Sequence, residues 1–548
     1  MIGATQTTRF GMVVDINRCV GCQTCTISCK HFNDTPPGIQ WRRVLDVERG
    51  TFPDVERLFL VTGCQHCAEP SCVPVCPTGA TRQRQDGLVT MDYDTCIGCG
   101  YCAIACPYQA RTIVHDKEWY YGEPTAQESV VAHDDRIGVA NKCTFCIERI
   151  DDAAASGKTP GVDPDYTPAC AASCIADALN FGNFADPDSN VSALVRDNAN
   201  FQMHEELGND PQIRYLYEVP NATPGRDPEP EDLSDETLSD PANPLVGARQ
   251  TFWDYRAAMN FIMGGMSTGL AIAAYIAFLY GRADGDWLFP GMGVGGLQLL
   301  FLIAGIGMAV GLFFVFLEIG RKLRFLLVMR MPGTSWMTRE TYVVALFYPL
   351  LAADLLWPHA ALHFLVAASA LAFLYCQGRI LQAGKGIPAW RTSLMPSMLV
   401  ATGLFEGFGL FALFSLMLDP GLTVVIPAFL GLGVLAVVNL VLWRRYRSTA
   451  RVEGIGPLAR REIDALSPYL HAIGHGLPIV CVIAAAIVGN GAAVSALLAL
   501  AGAGAVVGGI MWKFTVITRA CHQQGFAIPK MPRRGSGARA APERMHSI

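Results

Sequence analysis

The stretch Cys96-Ile-Gly-Cys99-Gly-Tyr-Cys102-Ala-Ile-Ala-Cys106-Pro107 decides how this chain is read. Its thiols are spaced two, two and three residues apart. Three cysteines at that pitch can wrap one cubane of iron and sulfide, while the fourth, followed by proline, turns towards a neighbouring cluster. A zinc ion is satisfied by four ligands in total and would leave so dense a run unexplained. The spacing therefore predicts iron and sulfide rather than zinc.

Three related groups surround it. Cys19-x2-Cys22-x2-Cys25-x3-Cys29 and Cys64-x2-Cys67-x4-Cys72-x3-Cys76-Pro77 come before. A split group, Cys143-x2-Cys146 and then Cys170-x3-Cys174, comes after. Short apolar runs at 11–15, 58–61 and 87–92 lead into the first three groups. This rhythm of strand, cysteines and helix reads as an α+β ferredoxin-like repeat domain over residues 1–220. Four full quartets predict four [4Fe–4S] clusters and no three-iron cluster. Because the fourth cysteine of a group serves the partner cluster, the expected pairing is nested. Cys106 joins Cys64, Cys67 and Cys72, while Cys76 joins Cys96, Cys99 and Cys102. Cys174 completes the set of Cys19, Cys22 and Cys25, and Cys29 completes that of Cys143, Cys146 and Cys170. Such an array is a wire for electrons, and no nucleophile dyad, phosphate loop or substrate pocket accompanies it.

The charge is unevenly spread. Up to Val246 there are 18 Lys and Arg against 36 Asp and Glu, and beyond it 24 against 12. Two modules in different surroundings are expected, and no nucleic-acid partner. Of 19 cysteines, only Cys376, Cys481 and Cys521 lie outside the first module. The opening M-I-G-A-T-Q-T-T-R-F shows no basic stretch followed by an apolar run, and Arg42-Arg43 lies inside the module. Free thiols are therefore expected rather than disulfides. Residues 221–248, rich in proline and acid, are expected to be a linker too polar to bury a core.

Residues 249–548 read as an all-α polytopic membrane domain. Eight apolar runs lie near 258–281, 294–317, 341–357, 360–378, 395–418, 421–443, 470–489 and 492–516. Each is long enough to cross the hydrocarbon layer as a helix. If they alternate, one side of the membrane receives 23 Lys and Arg and the other receives Arg282 alone. The positive-inside rule then puts the cluster domain and the C-terminus in the cytoplasm of a bacterial inner membrane.

Ionisable groups in such spans are functional candidates. Glu318 and Glu340 fall at the basic face, where a quinone, ubiquinone or menaquinone, would meet arriving electrons. A carboxylate can pass protons to its oxygens, and Arg321 or Arg324 can stabilise the charge that forms there. Glu406 and Asp354 are proton-path candidates, although a buried carboxylate held by a neighbouring helix is the simpler reading of each. The pairs His359/His363 and His471/His475 fall towards opposite faces, so haem is not expected.

Residues 9–220 resemble the four-cluster electron-transfer subunit of dimethyl-sulfoxide-reductase-family molybdoenzymes. Residues 250–535 resemble that family's eight-helix anchor, on E-I-G-R-K-L-R at 318–324, S-W-M-T-R-E at 335–340 and K-F-T-V-I-T-R-A-C-H-Q-Q-G-F-A-I-P at 513–529. The resemblance implies a separate molybdopterin-containing catalytic subunit as partner and a membrane quinone as the other redox partner. It implies a quinone site drawn from Glu318, Arg321, Arg324, Trp336, Arg339 and Glu340. Glu340 and Arg324 match the family's residues, whereas Glu318 stands where the family has histidine. The closest expectation is the quinone-linked sulfite dehydrogenase type, ahead of phenylacetyl-CoA oxidation and of dimethyl sulfoxide or polysulfide reduction. A ferredoxin–quinone module of a hydrogenase or ion-pumping complex is the rival class. The chain itself is expected to be a non-catalytic subunit.

Overall fold

A computed structural model describes residues 8–52, 54–217, 234, 237–283, 294–418, 425–489 and 491–528. The chain forms two units. One comprises Met1–Ala248 with Gln523–Ile548, and the other comprises Arg249–His522.

The first unit is built on a four-stranded sheet. Phe10–Asp15 lies between Leu179–Asn183, antiparallel to it, and Ile213–Leu216, parallel to it, and Asn200–Phe201 closes one edge. Side chains alternate across a strand, and both faces of Phe10–Asp15 are covered. Met12 and Val14 enter the core that holds the cysteines, while Val13 packs against Val191 and Leu216. The helix Asn190–Asp197 that supplies Val191 starts at Ser189, whose hydroxyl accepts from the amide of Ser192. Arg42–Thr51 and Asp54–Gly63 form a hairpin, and two shorter strand pairs follow. Short helices carry cysteines: Thr24–Phe32 holds Cys25 and Cys29, Tyr101–Ile104 holds Cys102, and Ala169–Ala172 holds Cys170.

Two boundaries differ from the sequence expectation. Most of 221–248 lies outside the described residues, but Leu245 is buried in the first unit's core beside Phe526 and Ile528. The amide of Phe526 donates to the carbonyl of Leu245 at 2.8 Å. The linker's apolar end therefore does bury itself. The segment after His522, expected with the membrane helices, belongs with the cysteines. Both facts have one cause: Leu245, Phe526 and Ile528 are isolated apolar side chains in polar stretches, and they bury each other.

The second unit is helical. Among the described residues, six helices are long and apolar enough to cross a membrane: Tyr255–Tyr280, Gly295–Glu318, Ala360–Gln382, Met395–Phe414, Pro457–Val488 and Ala492–Thr518. Two of the expected spans fall on other helices. Trp336–Leu356 carries Arg339, Glu340 and Asp354, whose charges lower its mean hydropathy below that of the six. Val425–Thr449 ends in Arg444, Arg445 and Arg447, and 419–424 lie outside the described residues.

Helix association without water depends on close backbone approach. A Cβ at Gly269 would meet the carbonyl oxygen of Gly403 at 1.9 Å, and one at Gly409 would meet that of Gly502 at 2.6 Å. Glycines thus set the contacts of Tyr255–Ala283 and Ala492–Thr518 with Met395–Leu418. The seventh run is broken by a π-helical turn at Leu470–Gly476, just before Pro478. Proline offers no N–H to the carbonyl four residues back, so the ladder slips there by one residue. The slip buries His475 among its neighbours.

Candidate functional site

The four cysteine groups share one backbone device. In each, the residue before the second cysteine has a left-handed conformation: Gly21 (φ 69°), His66 (42°), Gly98 (72°) and Phe145 (57°). This reverses the chain so that neighbouring thiols can face the same side. Glycine adopts it freely, whereas a side chain there costs about 1–2 kcal/mol. His66 and Phe145 accept that strain and stack on each other, with ring centroids 3.8 Å apart. Backbone amides then point at sulfur. Gly98 donates to Cys96 Sγ and Phe145 to Cys143 Sγ, each at 3.4 Å, Ala169 to Cys146 Sγ at 3.4 Å, and Ala178 to Cys174 Sγ at 3.3 Å.

The thiols gather in four quartets, seen in which charges each one feels. Cys19 neighbours Cys22 and Cys174, and these three line one pocket with Cys25. Cys29 neighbours Cys143, Cys146 and Cys170. Cys67 neighbours Cys64, Cys72 and Cys106, and Cys99 neighbours Cys76, Cys96 and Cys102. The quartets are also linked in order, through Cys102 with Cys72, Cys64 with Cys143, and Cys25 with Cys170. All three links together make a line of four.

Burial, reinforced by the neighbouring sulfurs, pushes the thiols of Cys25 and Cys143 up to about 11 and that of Cys146 up to about 12. So many ionised thiols could not be buried by themselves. They need cations, which iron supplies when it displaces their protons. Among the described residues no disulfide joins these cysteines, and no three His, Cys, Asp or Glu side chains close tightly around a single ion.

Sequence reasoning missed the cations that the protein itself buries here. Arg42 and Lys142 are fully buried, and Arg111 almost so. Burial alone would lower the pKa of Arg42, but the thiolates of Cys170, Cys143, Cys29 and Cys25 more than reverse this. Among the described residues the Nε and Nη1 of Arg42 have no hydrogen-bond partner. Arg111 donates to Cys72 Sγ at 3.1 Å and to Thr81 Oγ1 at 3.1 Å. Lys142 donates to the carbonyls of Val89 and Cys143. A buried, unpaired cation costs several kcal/mol, so these donors suit a bound anion. Thiolate quartets with amides and orphaned guanidinium donors aimed at them fit a [4Fe–4S] cluster, whose sulfides are such acceptors. In the sequence Arg42-Arg43 was read only as lying inside the first module, and nothing in the run marks it as buried.

In the second unit the expected quinone residues divide. Glu318 is buried and accepts from the amide of Asp254 at 3.2 Å. Glu340 is buried beside the Gln377 amide, which in turn donates to the carbonyl of Asn260 at 3.2 Å. Asp254 and Asn260 belong to the start of one helix, about 9 Å apart along its axis, so the two carboxylates hang from one helical segment through different partners. Two guanidinium groups approach the Trp336 ring, Arg339 at 4.3 Å and Arg379 at 4.6 Å from its centroid. Arg339 also donates to the carbonyls of Pro332 and Gly333. Arg321 and Arg324 flank the start of the helical turn Lys322–Arg330 and are half-exposed.

Two further buried carboxylates are held by neighbouring helices. Glu406 pairs with Lys513 at 2.5 Å, both fully buried, and Asp354 pairs with His363 at 2.6 Å. His359 caps its own helix by accepting from the amide of Ala361. A separate cavity is lined by Thr402, Asn439, Trp443, His475, Gly509 and Trp512.

Thiol quartets in a line, in one chain with long apolar helices, define an iron–sulfur electron carrier that can be tied to a membrane. Residues 55–120 match the family described as 4Fe-4S dicluster domain. A sulfite dehydrogenase subunit of Allochromatium vinosum is 40% identical over 225 residues, 38% of this chain and 83% of the relative. A tetrathionate reductase subunit of Salmonella typhimurium is 35% identical over 212 residues, 38% of this chain and 72% of the relative. The iron–sulfur cluster-binding subunit of menaquinone reductase from Nitratidesulfovibrio vulgaris is 34% identical over 229 residues, 38% of this chain and 88% of the relative. The chain belongs to the family of iron–sulfur subunits found in dimethyl-sulfoxide-reductase-family molybdoenzyme complexes.

The Glu406–Lys513 pair generates a stability prediction. Lys513→Met should destabilise the protein by about 3–5 kcal/mol, because it strands a buried carboxylate. Adding Glu406→Gln should recover most of that loss. Thermal unfolding of both variants in detergent measures it, and a double variant no better than the single one would refute the pairing.

Proposed function

We propose that this chain carries electrons between a molybdopterin-containing catalytic subunit and the membrane quinone pool, through four [4Fe–4S] clusters. The observation that carries this reading is the unbroken line of four thiol quartets, in a chain that also holds helices able to cross a membrane. The proposed ligands are the four quartets described above. Bound there, [4Fe–4S] clusters supply one-electron carriers along the line. The chain's own part is to hold the thiols in reach of one another and to aim amide donors at their sulfur.

The quinone is proposed to bind in the helical unit near Glu340, with Gln377 orienting the carboxylate. Glu340 is placed to give or take the protons that accompany quinone chemistry, and Arg339 and Trp336 form the polar and aromatic wall beside it. Glu318, Arg321 and Arg324 supply the charge of the adjoining turn. The relative named for menaquinone reductase supports quinone as a redox partner. The relative named for sulfite dehydrogenase supports sulfite as the substrate of the catalytic partner. All eight apolar runs are proposed to span a bacterial inner membrane. The cluster unit and the C-terminus face the cytoplasm, on the excess of 23 positive residues over one.

Metal analysis of the native complex tests the core of this reading. It should return about 16 iron and 16 acid-labile sulfide atoms per chain, as four cubanes require, with molybdenum in a co-purifying subunit. About 8 iron atoms, or stoichiometric zinc, would rule out the four-cluster count, and absence of molybdenum would rule out the partner. Sulfite should reduce quinone in the same preparation.

Glu340→Gln should leave the iron content and its reduction by substrate intact while slowing transfer to quinone by about 10²–10⁴-fold, the usual loss for a positioned proton relay. Steady-state quinone reduction per intact complex is the measurement. A rate unchanged from the wild type would move the site to the cavity beside His475. The orientation is checked by fusion: alkaline phosphatase placed after Asp286 should be active, and after Arg451 silent. The reverse pattern would put the cluster unit outside.

A further inference from the structure

Arg42 and Arg111 occupy matching places in the line of thiols. Arg42 lies where the quartet of Cys19, Cys22, Cys25 and Cys174 meets that of Cys29, Cys143, Cys146 and Cys170. It feels Cys25 of the first and Cys29, Cys143 and Cys170 of the second. Arg111 lies where the other two quartets meet, feeling Cys64, Cys72 and Cys106 on one side and Cys102 on the other. Among the described residues neither guanidinium has a carboxylate within 4.0 Å, the reach of a salt bridge, although the unit is strongly acidic. The Nη2 of Arg42 reaches Met12 Sδ at 3.5 Å, and its Nε and Nη1 are buried without a hydrogen-bond partner among the described residues. Arg111 spends one donor on Cys72 Sγ and another on Thr81 Oγ1.

A salt-bridged arginine would be nearly neutral to its surroundings. A buried one facing sulfur and a neutral hydroxyl, with no carboxylate beside it, keeps its charge for what the sulfur holds. Reduction adds a negative charge to a cluster, and a nearby fixed cation stabilises that product. Net charge and hydrogen bonds to sulfur are the protein's levers on cluster potential. We propose that Arg42 and Arg111 set the reduction potentials of the line, each raising the potentials of the two clusters that flank it. The arginines are positioning and tuning residues and carry no electron themselves. Each pair is thereby levelled upwards together, so that the line works as two matched pairs. Between the pairs stand the stacked rings of His66 and Phe145 and the ammonium of Lys142, which donates to the carbonyl of Cys143.

This inference rests on the four-cluster reading, and the experiment separates the two. The full complex is purified with Arg111→Gln, Arg111→Lys, Arg42→Gln or Arg42→Lys, its iron is counted, and its clusters are titrated potentiometrically with detection by electron paramagnetic resonance. In Arg111→Gln two of the four midpoint potentials should fall while the other two hold. In Arg42→Gln the complementary two should fall. The Lys forms, which keep the charge, should return close to the wild-type potentials. Unchanged potentials at full iron content would overturn the proposal, as would an equal shift of all four. Loss of iron in both the Gln and the Lys form of one position would assign that arginine to assembly and overturn its tuning role. A wild-type count near half the expected iron would instead refute the four-cluster reading itself.

Discussion

Negative charge buried at high density is the constraint on which the first unit depends. Sixteen thiols stand in a body whose surface is itself acidic, and most of them are buried. Each must lose a proton to bind iron, so the unit can be stable only if positive charge arrives with the metal or is already in place. The fold supplies what it can. Amides are turned towards sulfur by left-handed residues at matching points of the four groups, and three basic side chains are buried among the quartets. The sheet of Phe10–Asp15 and its neighbours, covered on both faces, is the rigid floor against which these loops are held.

The second unit meets the same problem with less means, since lipid offers no water to a stray polar group. Its answer is to hand each carboxylate a partner from a neighbouring helix: Lys513 for Glu406, His363 for Asp354, Gln377 for Glu340. Such pairs require helices that touch, and glycines at the crossings allow the backbones to approach. Glu340 differs from Glu406 in having the amide of Gln377 rather than the ammonium of Lys513 beside it. A carboxyl group held that way can change protonation without breaking an ion pair, which suits it to proton exchange.

Much of this was legible in the residues. Cysteine spacing announced the four groups because iron–sulfur geometry fixes spacing directly. The apolar runs announced the helices because length and hydropathy are all that a bilayer asks. Glu406 and Asp354 could be read as satisfied by neighbours, although not by which. What could not be read is pairing at a distance. Nothing local tells that Arg42 is swallowed among sulfurs while Arg57 lies at the surface with Asp46, or that Leu245 and Phe526 share a core. His66 and Phe145 gave no sign of their strained backbone, since their counterparts Gly21 and Gly98 take the same turn without penalty. The run at 341–357 was read as a span, but the helix Trp336–Leu356 begins earlier and takes in Arg339 and Glu340, which set it apart from the six most apolar helices.

The embedding of Phe526 and Ile528 in the core of the first unit has a consequence for time rather than space. A ribosome finishes the cysteine groups hundreds of residues before it makes these two side chains. Until then that core lacks part of its apolar filling, and the strand Ile213–Leu216 beside Phe10–Asp15 is the last large piece already in hand. Domains form as units in the order they are synthesised, but this one is completed only after every helix of the other unit has been made. A chain that stalls in the middle of its helices lacks the apolar filling that Phe526 and Ile528 give that core. Completion of the electron-carrying body is thus tied in time to completion of the helices, because two of its core side chains are the last to be made.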